Sequence, residues 1–256
     1  LAADLQVGAV YLETTNGVDE IGDEFQISFA SQVEGTQLTR IVIEGDKAGN
    51  GLTDGDPFFD TELTGEGAFG AVRLSVVEST GFTIENVELV DGSTRLVIDL
   101  AGFDAGEKLF FTVDVDEAGF LQPNSIAEGR EFEGAQFHAT FQGPLFAEAT
   151  ASGLFLDDFG SEITQLGLPP DVYDPSSPTP LSDYTAAAYA EMDLIDLSGT
   201  VYEDQNLDNA QAPSEPGIGG VELTLLKRID GDYQAVGTTT TDGNGDYAFV
   251  GLTAGD

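Results

Sequence analysis

The chain is dominated by short runs in which apolar and polar residues alternate. Clear runs lie at 25–29, 38–43, 72–77, 95–100, 109–115, 135–141, 221–226 and 247–250. A period of two, rich in β-branched and aromatic residues, is typical of strands with one buried face. Turn-forming pairs such as Asp91-Gly92 and Asn244-Gly245 separate the runs. The pattern predicts an all-β chain built from β-sandwiches.

Two stretches depart from this alternation of apolar and polar residues. Residues 184–192 contain an alanine run and predict a short turn of helix at most. Residues 167–183 hold five of the chain's 10 prolines, which predicts an extended, semi-rigid segment. We therefore divide the chain into a β-sandwich domain of unassigned family at 1–166, a proline-rich linker or strap at 167–195, and a smaller module at 196–256.

The charge balance narrows the possible partners. Asp and Glu number 47 against 8 Lys and Arg, a formal net charge of −39. Nucleic acid is excluded because phosphate binding needs a basic face. No apolar run is long enough for membrane insertion. High salt, dispersal over a large surface or bound divalent cations would each relieve the self-repulsion. The acids are mostly Asp set among Gly and Asn, which favours cations. There are no cysteines, so disulfides and thiolate metal sites are excluded.

The clearest motif is a twelve-residue acidic loop. Counted from Asp204 as position 1, Asn206 is position 3, Asp208 position 5 and Glu215 position 12. This is the spacing of an EF-hand calcium loop, in which the carbonyl of position 7, here Ala210, adds an oxygen. Position 6 is Asn209 in place of Gly, and Asn tolerates a left-handed backbone. Pro213 and Pro216 argue against an exit helix, so we predict a calcium loop between strands. An acidic surface loop with accidental spacing is the alternative.

The surroundings of the loop extend the pattern. Leu-Ser-Gly-Thr-Val-Tyr at 197–202 precedes it, Gly-Ile-Gly-Gly-Val-Glu-Leu at 217–223 follows it, and Thr-Asp-Gly-Asn-Gly-Asp-Tyr lies at 241–247. Together these blocks resemble an SdrD B-like module of bacterial surface proteins, related to Cna B-type domains. The resemblance implies a partial Greek-key β-sandwich that binds several Ca²⁺ ions and acts as a stiff spacer. It places Asp242, Asn244 and Asp246 near further calcium; an acidic hairpin tip is the alternative. Such modules continue past this point, so the module at 196–256 is expected to be truncated.

The first domain offers weaker candidates. Asp46, Asn50, Asp54 and Asp56 lie in a Gly/Asp loop that could hold Ca²⁺ or could be a flexible acidic turn. Asp114, Asp116 and Glu117 at a strand end are less distinctive. His138 is the only histidine, and no nucleophile elbow accompanies it. Carboxylate pairs at glycosidase spacing arise by chance among so many acids. We therefore expect no enzymatic activity.

These observations predict a secreted structural protein, stabilised by Ca²⁺, of the bacterial cell surface or of an extracellular filament, sheath or surface layer. Self-association or contact with neighbouring surface-protein domains is expected with it. The alternative is a surface adhesin whose N-terminal sandwich binds a glycan or protein ligand. Either function places the chain outside the cell or at the cell surface.

Overall fold

The computed structural model describes residues 3–12, 22–62, 73–119, 132–157, 160–169, 185–229 and 231–253. Within these ranges the chain forms strands and one short helix, so it is all-β, as the alternating pattern predicts. No helix in the described ranges has the length and apolar character to cross a membrane. The elements are β1 Leu5–Leu12, β2 Asp23–Ser31, β3 Gln37–Glu44, β4 Pro57–Asp60, β5 Ser75–Ser79, β6 Thr83–Leu89, β7 Arg95–Asp104, β8 Lys108–Glu117, β9 Gln136–Gly143, β10 Phe146–Leu156, α1 Ser161–Gln165, β11 Thr185–Met192, β12 Ile195–Thr200, β13 Glu222–Ile229, β14 Asp232–Thr240 and β15 Asp246–Leu252.

The chain divides into two compact units. The first consists of Leu1–Phe141 and Thr150–Met192, and the second of Gln142–Ala149 and Asp193–Asp256. Of the predicted linker or strap at 167–195, residues 170–184 lie outside the described ranges. Within that segment, Thr185–Met192 forms strand β11 of the first unit, and the second unit begins at Asp193.

The eleven strands β1–β11 form one antiparallel sheet that folds over on itself. Its main path runs β4-β8-β2-β1-β11-β10-β9-β3-β7-β6, with β5 also pairing with β8. Phe29 on β2 contacts Phe103 on β7, with ring centroids 5.9 Å apart. Six strand spacings separate these strands along the path, about 29 Å in a flat sheet. The two ends of the sheet therefore face each other, which gives the sandwich that the sequence predicts.

Aromatic side chains fill the space between the two layers. Phe25 stacks on Phe111 with centroids 5.0 Å apart, and Phe132 meets Tyr11 at 4.4 Å and Phe155 at 5.1 Å. All five side chains are buried. Large aromatic groups dominate the energetics of such cores, so this cluster is the main reason that the first unit is compact.

Strand β11 corrects one expectation from the sequence. A short turn of helix was predicted for 184–192, of which Tyr184 lies outside the described residues. Thr185–Met192 is instead a strand that pairs along its whole length with β1 and also pairs with β10. Ala187 packs against Ile163 and Leu166, so small side chains make room for α1 over the sheet. The helix propensity of alanine is a weak preference that tertiary packing overrides.

The second unit contains two antiparallel strand pairs. Strand β12 pairs with β15, and β13 pairs with β14. A register shift at Leu225/Leu226 interrupts the second pair. Phe249 and Leu252 on β15 are buried, whereas Leu197 on β12 is 45% exposed. The acidic loop at 204–215 lies between β12 and β13 and is carried by these short pairs.

Candidate metal sites

The acidic loop is closed at its base by backbone pairing. Tyr202 forms an isolated bridge with Gly217, and Glu203 N–H donates to the Pro216 carbonyl at 3.0 Å. Residues 201–221 contain no helix. The loop is therefore an insertion between strands, as the two prolines predict, and its first and last residues are held close together.

Asp204 organises the first half of the loop. Its Oδ1 accepts the backbone N–H of Leu207 at 2.6 Å and of Asp208 at 3.3 Å, and its Oδ2 accepts the N–H of Asn209 at 3.0 Å. A carboxylate that accepts several N–H groups winds the chain around itself. Leu207 and Asn209 consequently both adopt a φ of 62°. The left-handed Asn209 agrees with the prediction for position 6; the left-handed Leu207 was not anticipated.

Glu215 joins the end of the loop to its start. The side chain is only 5% exposed. Its Oε1 accepts the N–H of Gln205 at 3.0 Å and of Asn206 at 3.4 Å, while Oε2 accepts the N–H of Ala212 at 2.8 Å. Asp204 and Glu215, at positions 1 and 12 of the predicted calcium loop, therefore both accept hydrogen bonds from the backbone of residues 205–212. The spacing suggested this arrangement but did not require it.

The intermediate positions are linked in series. The Asn206 Oδ1 accepts the N–H of Asp208 at 2.9 Å, and the Asp208 Oδ1 accepts the N–H of Ala210 at 2.8 Å. The side chains at positions 1, 3, 5 and 12 and the carbonyl at position 7 supply only hard oxygen donors, the set that suits Ca²⁺. The donor chemistry therefore fits the predicted ion.

The loop also affects a neighbouring tyrosine. Partial desolvation raises the pKa of Tyr202, and the negative charges of Asp204, Glu215 and Asp208 raise it further. The phenol thus lies within electrostatic range of three of the proposed ligands. Tyr202 is a neighbour of the loop that the spacing argument did not identify.

The second predicted site is the turn before β15. The Asp242 Oδ1 accepts the N–H of Asn244 at 2.8 Å and of Asp246 at 3.0 Å. Hydrogen bonds from the N–H groups of Asp246 and Asn244 lower the pKa of Asp242. The Asp246 Oδ1 accepts the Thr200 hydroxyl at 2.5 Å. Asp242 therefore caps this turn, and the three predicted ligands lie together at one edge of the β12–β15 pair.

The Gly/Asp loop of the first unit is organised in the same way. Asp46 accepts the N–H of Asn50 at 3.0 Å and of Gly51 at 2.7 Å, and these bonds, with Gly51 the largest contributor, lower its pKa. Asp56 is buried and accepts the N–H groups of Lys47 and Thr53. Asp46 and Asp56 therefore fix the conformation of the loop.

The most closely gathered acidic group lies elsewhere in the first unit. Asp60, Asp114 and Asp116 each place a carboxylate oxygen within 4.8 Å of the others, and theirs is the one such group of three within the described ranges. Asp60 pairs directly with Asp114 across β4 and β8, and Phe58 pairs with Asp116. The sequence singled out Asp114, Asp116 and Glu117 as acids at a strand end but missed Asp60, because only strand pairing brings it to them.

The comparisons with known proteins concern the second unit. Residues 196–256 match the SdrD B-like domain, which confirms the resemblance found from the motifs. Serine-aspartate repeat-containing protein F of Staphylococcus epidermidis is 54% identical over 56 residues, which is 22% of this chain and 3% of that protein. Bone sialoprotein-binding protein of Staphylococcus aureus is 43% identical over 60 residues, 23% of this chain and 5% of that protein. The chain thus spans a small fraction of the length of these relatives, and the family match falls within its C-terminal quarter.

Proposed function

We propose that this chain is part of a structural protein of the bacterial cell surface, or of an extracellular filament, sheath or surface layer, and that its second unit is a spacer stabilised by Ca²⁺. The observation that carries the proposal is the loop at 204–215. Its two ends are pinned by backbone pairing. Its acidic side chains fix a backbone that presents oxygen donors at EF-hand spacing.

The strained backbone of the loop supports a binding role. A bulky residue with positive φ costs about 1–2 kcal/mol, and such strain persists where the surrounding structure imposes it, often at binding sites. Leu207 has a φ of 62° and is 82% exposed, so its own packing does not account for the conformation. The hydrogen bond to Asp204 does, and it orders a loop that has no apolar core.

The net charge supports the choice of ion. In a chain with a formal net charge of −39, cations that neutralise carboxylates locally reduce the self-repulsion that opposes the compact state. A cation that binds the folded state alone stabilises it by mass action, by about 2.7 kcal/mol at 100 times its dissociation constant. A module of this kind is therefore rigid where calcium is abundant, as it is outside cells.

Thermal unfolding of the full chain in EDTA and in excess CaCl₂ tests the proposal. We expect Ca²⁺ to raise Tm, and Asp208→Asn to remove much of that rise by taking one charge from the loop. Asp232→Asn, at an exposed site on β14, is the matched control and should keep the full rise. Equal Tm values of the wild-type chain in EDTA and in CaCl₂ would contradict the proposal.

Terbium luminescence locates the ion. The chain has no tryptophan, so tyrosine is the available sensitiser, and Tyr202 lies within electrostatic range of the loop carboxylates. We expect bound Tb³⁺ to emit on tyrosine excitation and Tyr202→Phe to reduce the emission without reducing the amount bound. Tyr233→Phe, at a 71% exposed position, is the control.

An adhesin is the second candidate, and one feature of the first unit favours it. Leu154, Leu156 and Tyr189 line an open cavity of about 380 Å³ beside α1. Apolar concave sites with a few polar groups are typical of ligand binding. Calcium-dependent assembly in sedimentation experiments would favour the structural role. Saturable binding of a glycan or protein that Leu154→Asp abolishes would favour the adhesin.

A further inference from the structure

The outer face of strands β10 and β11 in the first unit carries exposed apolar side chains beside a cavity. Leu154 and Leu156 on β10 are 52% and 48% exposed, whereas Phe155 between them is buried in the core. Leu156 lies opposite Ala187 of β11, and both leucines line the cavity of about 380 Å³ together with Ile163 of α1. A volume of this size is within the range of ligand sites, and apolar surface beside a concavity is typical of places where partners bind.

The rim of this cavity is acidic. Tyr189 of β11 and Glu162 of α1 line it, and the Tyr189 hydroxyl donates to the Glu191 carboxylate at 3.0 Å. Desolvation, followed by the hydrogen bond to Glu191 and the charges of Glu191 and Glu162, raises the pKa of Tyr189 to about 12. Two carboxylates therefore act on one phenol at the edge of an apolar cavity, and they make the potential there negative.

Gly160 leaves room for the Glu162 carboxylate at the cavity. A Cβ added at Gly160 would overlap Oε2 of Glu162, so the carboxylate occupies the space that a larger residue would take. Both residues line the cavity. Glu162 is nonetheless exposed, and its charge is therefore accessible to a ligand.

The chemistry of the cavity favours a cation on an apolar stem. The aliphatic side chains that line it can cover methylene groups, and the face of a tyrosine ring attracts a cation. A carboxylate such as Glu162 can accept two N–H groups from one guanidinium. Arginine combines these properties, because its stem packs on apolar surface while its head stays at the edge. The chain's formal net charge of −39 attracts cations from a distance as well.

The groove also has a direction. Leu154 and Leu156 are two residues apart on one strand, so their side chains stand about 6.7 Å apart along β10, the spacing of alternate side chains in an extended peptide. Ser152 is the next outward residue of the strand, and its Oγ lies 2.7 Å from Nδ1 of His138, so the apolar part of the row ends there. An extended segment therefore matches this surface better than a compact small amine does.

We propose that this groove binds an extended, arginine-containing segment of a partner protein, with the guanidinium at Glu162 and neighbouring apolar side chains on Leu154 and Leu156. The inference rests on the second candidate function, the adhesin, and names the class of its ligand. It does not depend on calcium binding by the loop at 204–215.

NMR titration of the full chain with short peptides tests the site. The probe is a blocked pentapeptide with leucine, arginine and leucine at alternate positions and serine between them. The matched probe carries citrulline, a neutral isostere, in place of arginine. In EDTA at physiological ionic strength, we expect saturable binding of the arginine peptide at least about tenfold tighter than that of the citrulline peptide. Glu162→Gln should remove most of this preference, and Leu154→Asn should weaken the binding of both peptides.

Glu78→Gln, at an exposed position on β5 of the same unit, is the matched control. It takes the same charge from the chain and should bind as the wild type does, so general attraction to the net charge is separated from binding at the groove. Equal losses of affinity in Glu78→Gln and Glu162→Gln would overturn the proposal, and so would the absence of saturable binding.

The remaining outcomes separate this ligand class from the adhesin and from the calcium loop. Equal affinity for the two peptides would overturn the arginine but leave an apolar peptide site, so the adhesin would survive. Tighter binding of hexylammonium than of the arginine peptide would overturn the peptide in favour of a small amine. Because EDTA removes calcium, the result is the same whether or not the loop at 204–215 binds it.

Discussion

At the scale of single residues, the acidic loop is shaped by what each carboxylate accepts. Asp204, Asp208 and Glu215 were identified by spacing alone, and the structure gives each a backbone N–H as a partner. The left-handed Asn209 was also predictable, because few residues other than Gly accept that conformation. Leu207 was not, since nothing in its chemistry signals a positive φ.

Leu207 provides a direct test of this strain. We expect Leu207→Gly to stabilise the calcium-bound chain by up to about 1 kcal/mol, because Gly adopts positive φ without a Cβ clash but loses more chain entropy on folding. Leu207→Val should destabilise it, since a β-branched residue tolerates this region least. The measurement is Tm in CaCl₂. Leu226→Gly, at a strand position that is 53% exposed, should destabilise the chain, and a gain there as large as at Leu207 would contradict the argument.

At the scale of elements, alternation located the strands that have one apolar and one polar face. Strands β2, β3, β7, β8 and β9 coincide with predicted runs. Strand β11 was missed because its alanines carry neither the alternation nor the β-branched side chains by which strands are recognised. The sequence did not group Asp60 with Asp114 and Asp116 for a related reason. The pairing of β4 with β8 joins residues far apart in the chain, and spacing along the chain does not reveal it.

The packing of α1 against the sheet depends on small residues. A Cβ at Gly8 of β1 would lie 2.9 Å from the side chains of both Leu166 and Leu168 and 3.1 Å from Ile163. We expect Gly8→Val to destabilise the first unit by about 1–3 kcal/mol through overpacking, measured by chemical denaturation. Gly243→Ala, where an added Cβ meets nothing within 4 Å, is the control and should change stability by less than half as much. An unchanged denaturation midpoint for Gly8→Val would show that α1 does not pack against Gly8 in solution.

At the scale of the whole molecule, charge is the property that composition revealed most directly. With −39 charges, we expect Tm in EDTA to rise between 0.1 M and 1 M NaCl, because the Debye length falls from about 10 Å to about 3 Å and screens the self-repulsion. Under the proposed calcium binding, the same change in NaCl should raise Tm less in saturating CaCl₂, since the bound cations would neutralise part of the charge. A Tm in EDTA that is insensitive to NaCl would mean that the acids are too dispersed to repel. KCl should reproduce the effect of NaCl.

The pairing of β1 with β11 determines when the first unit can finish folding. Leu5 lies opposite Met192 in this pair, so the sheet closes only after nearly the whole of the unit has been synthesised. Contacts between such distant segments make folding slow, and until β11 arrives the edges of β1 and β10 stay open to pairing with other chains. Until β11 is present, the first unit lacks the strand that joins β1 to β10. Truncation within the strand at 185–192 would leave both of these edges open permanently, and we therefore expect it to promote aggregation.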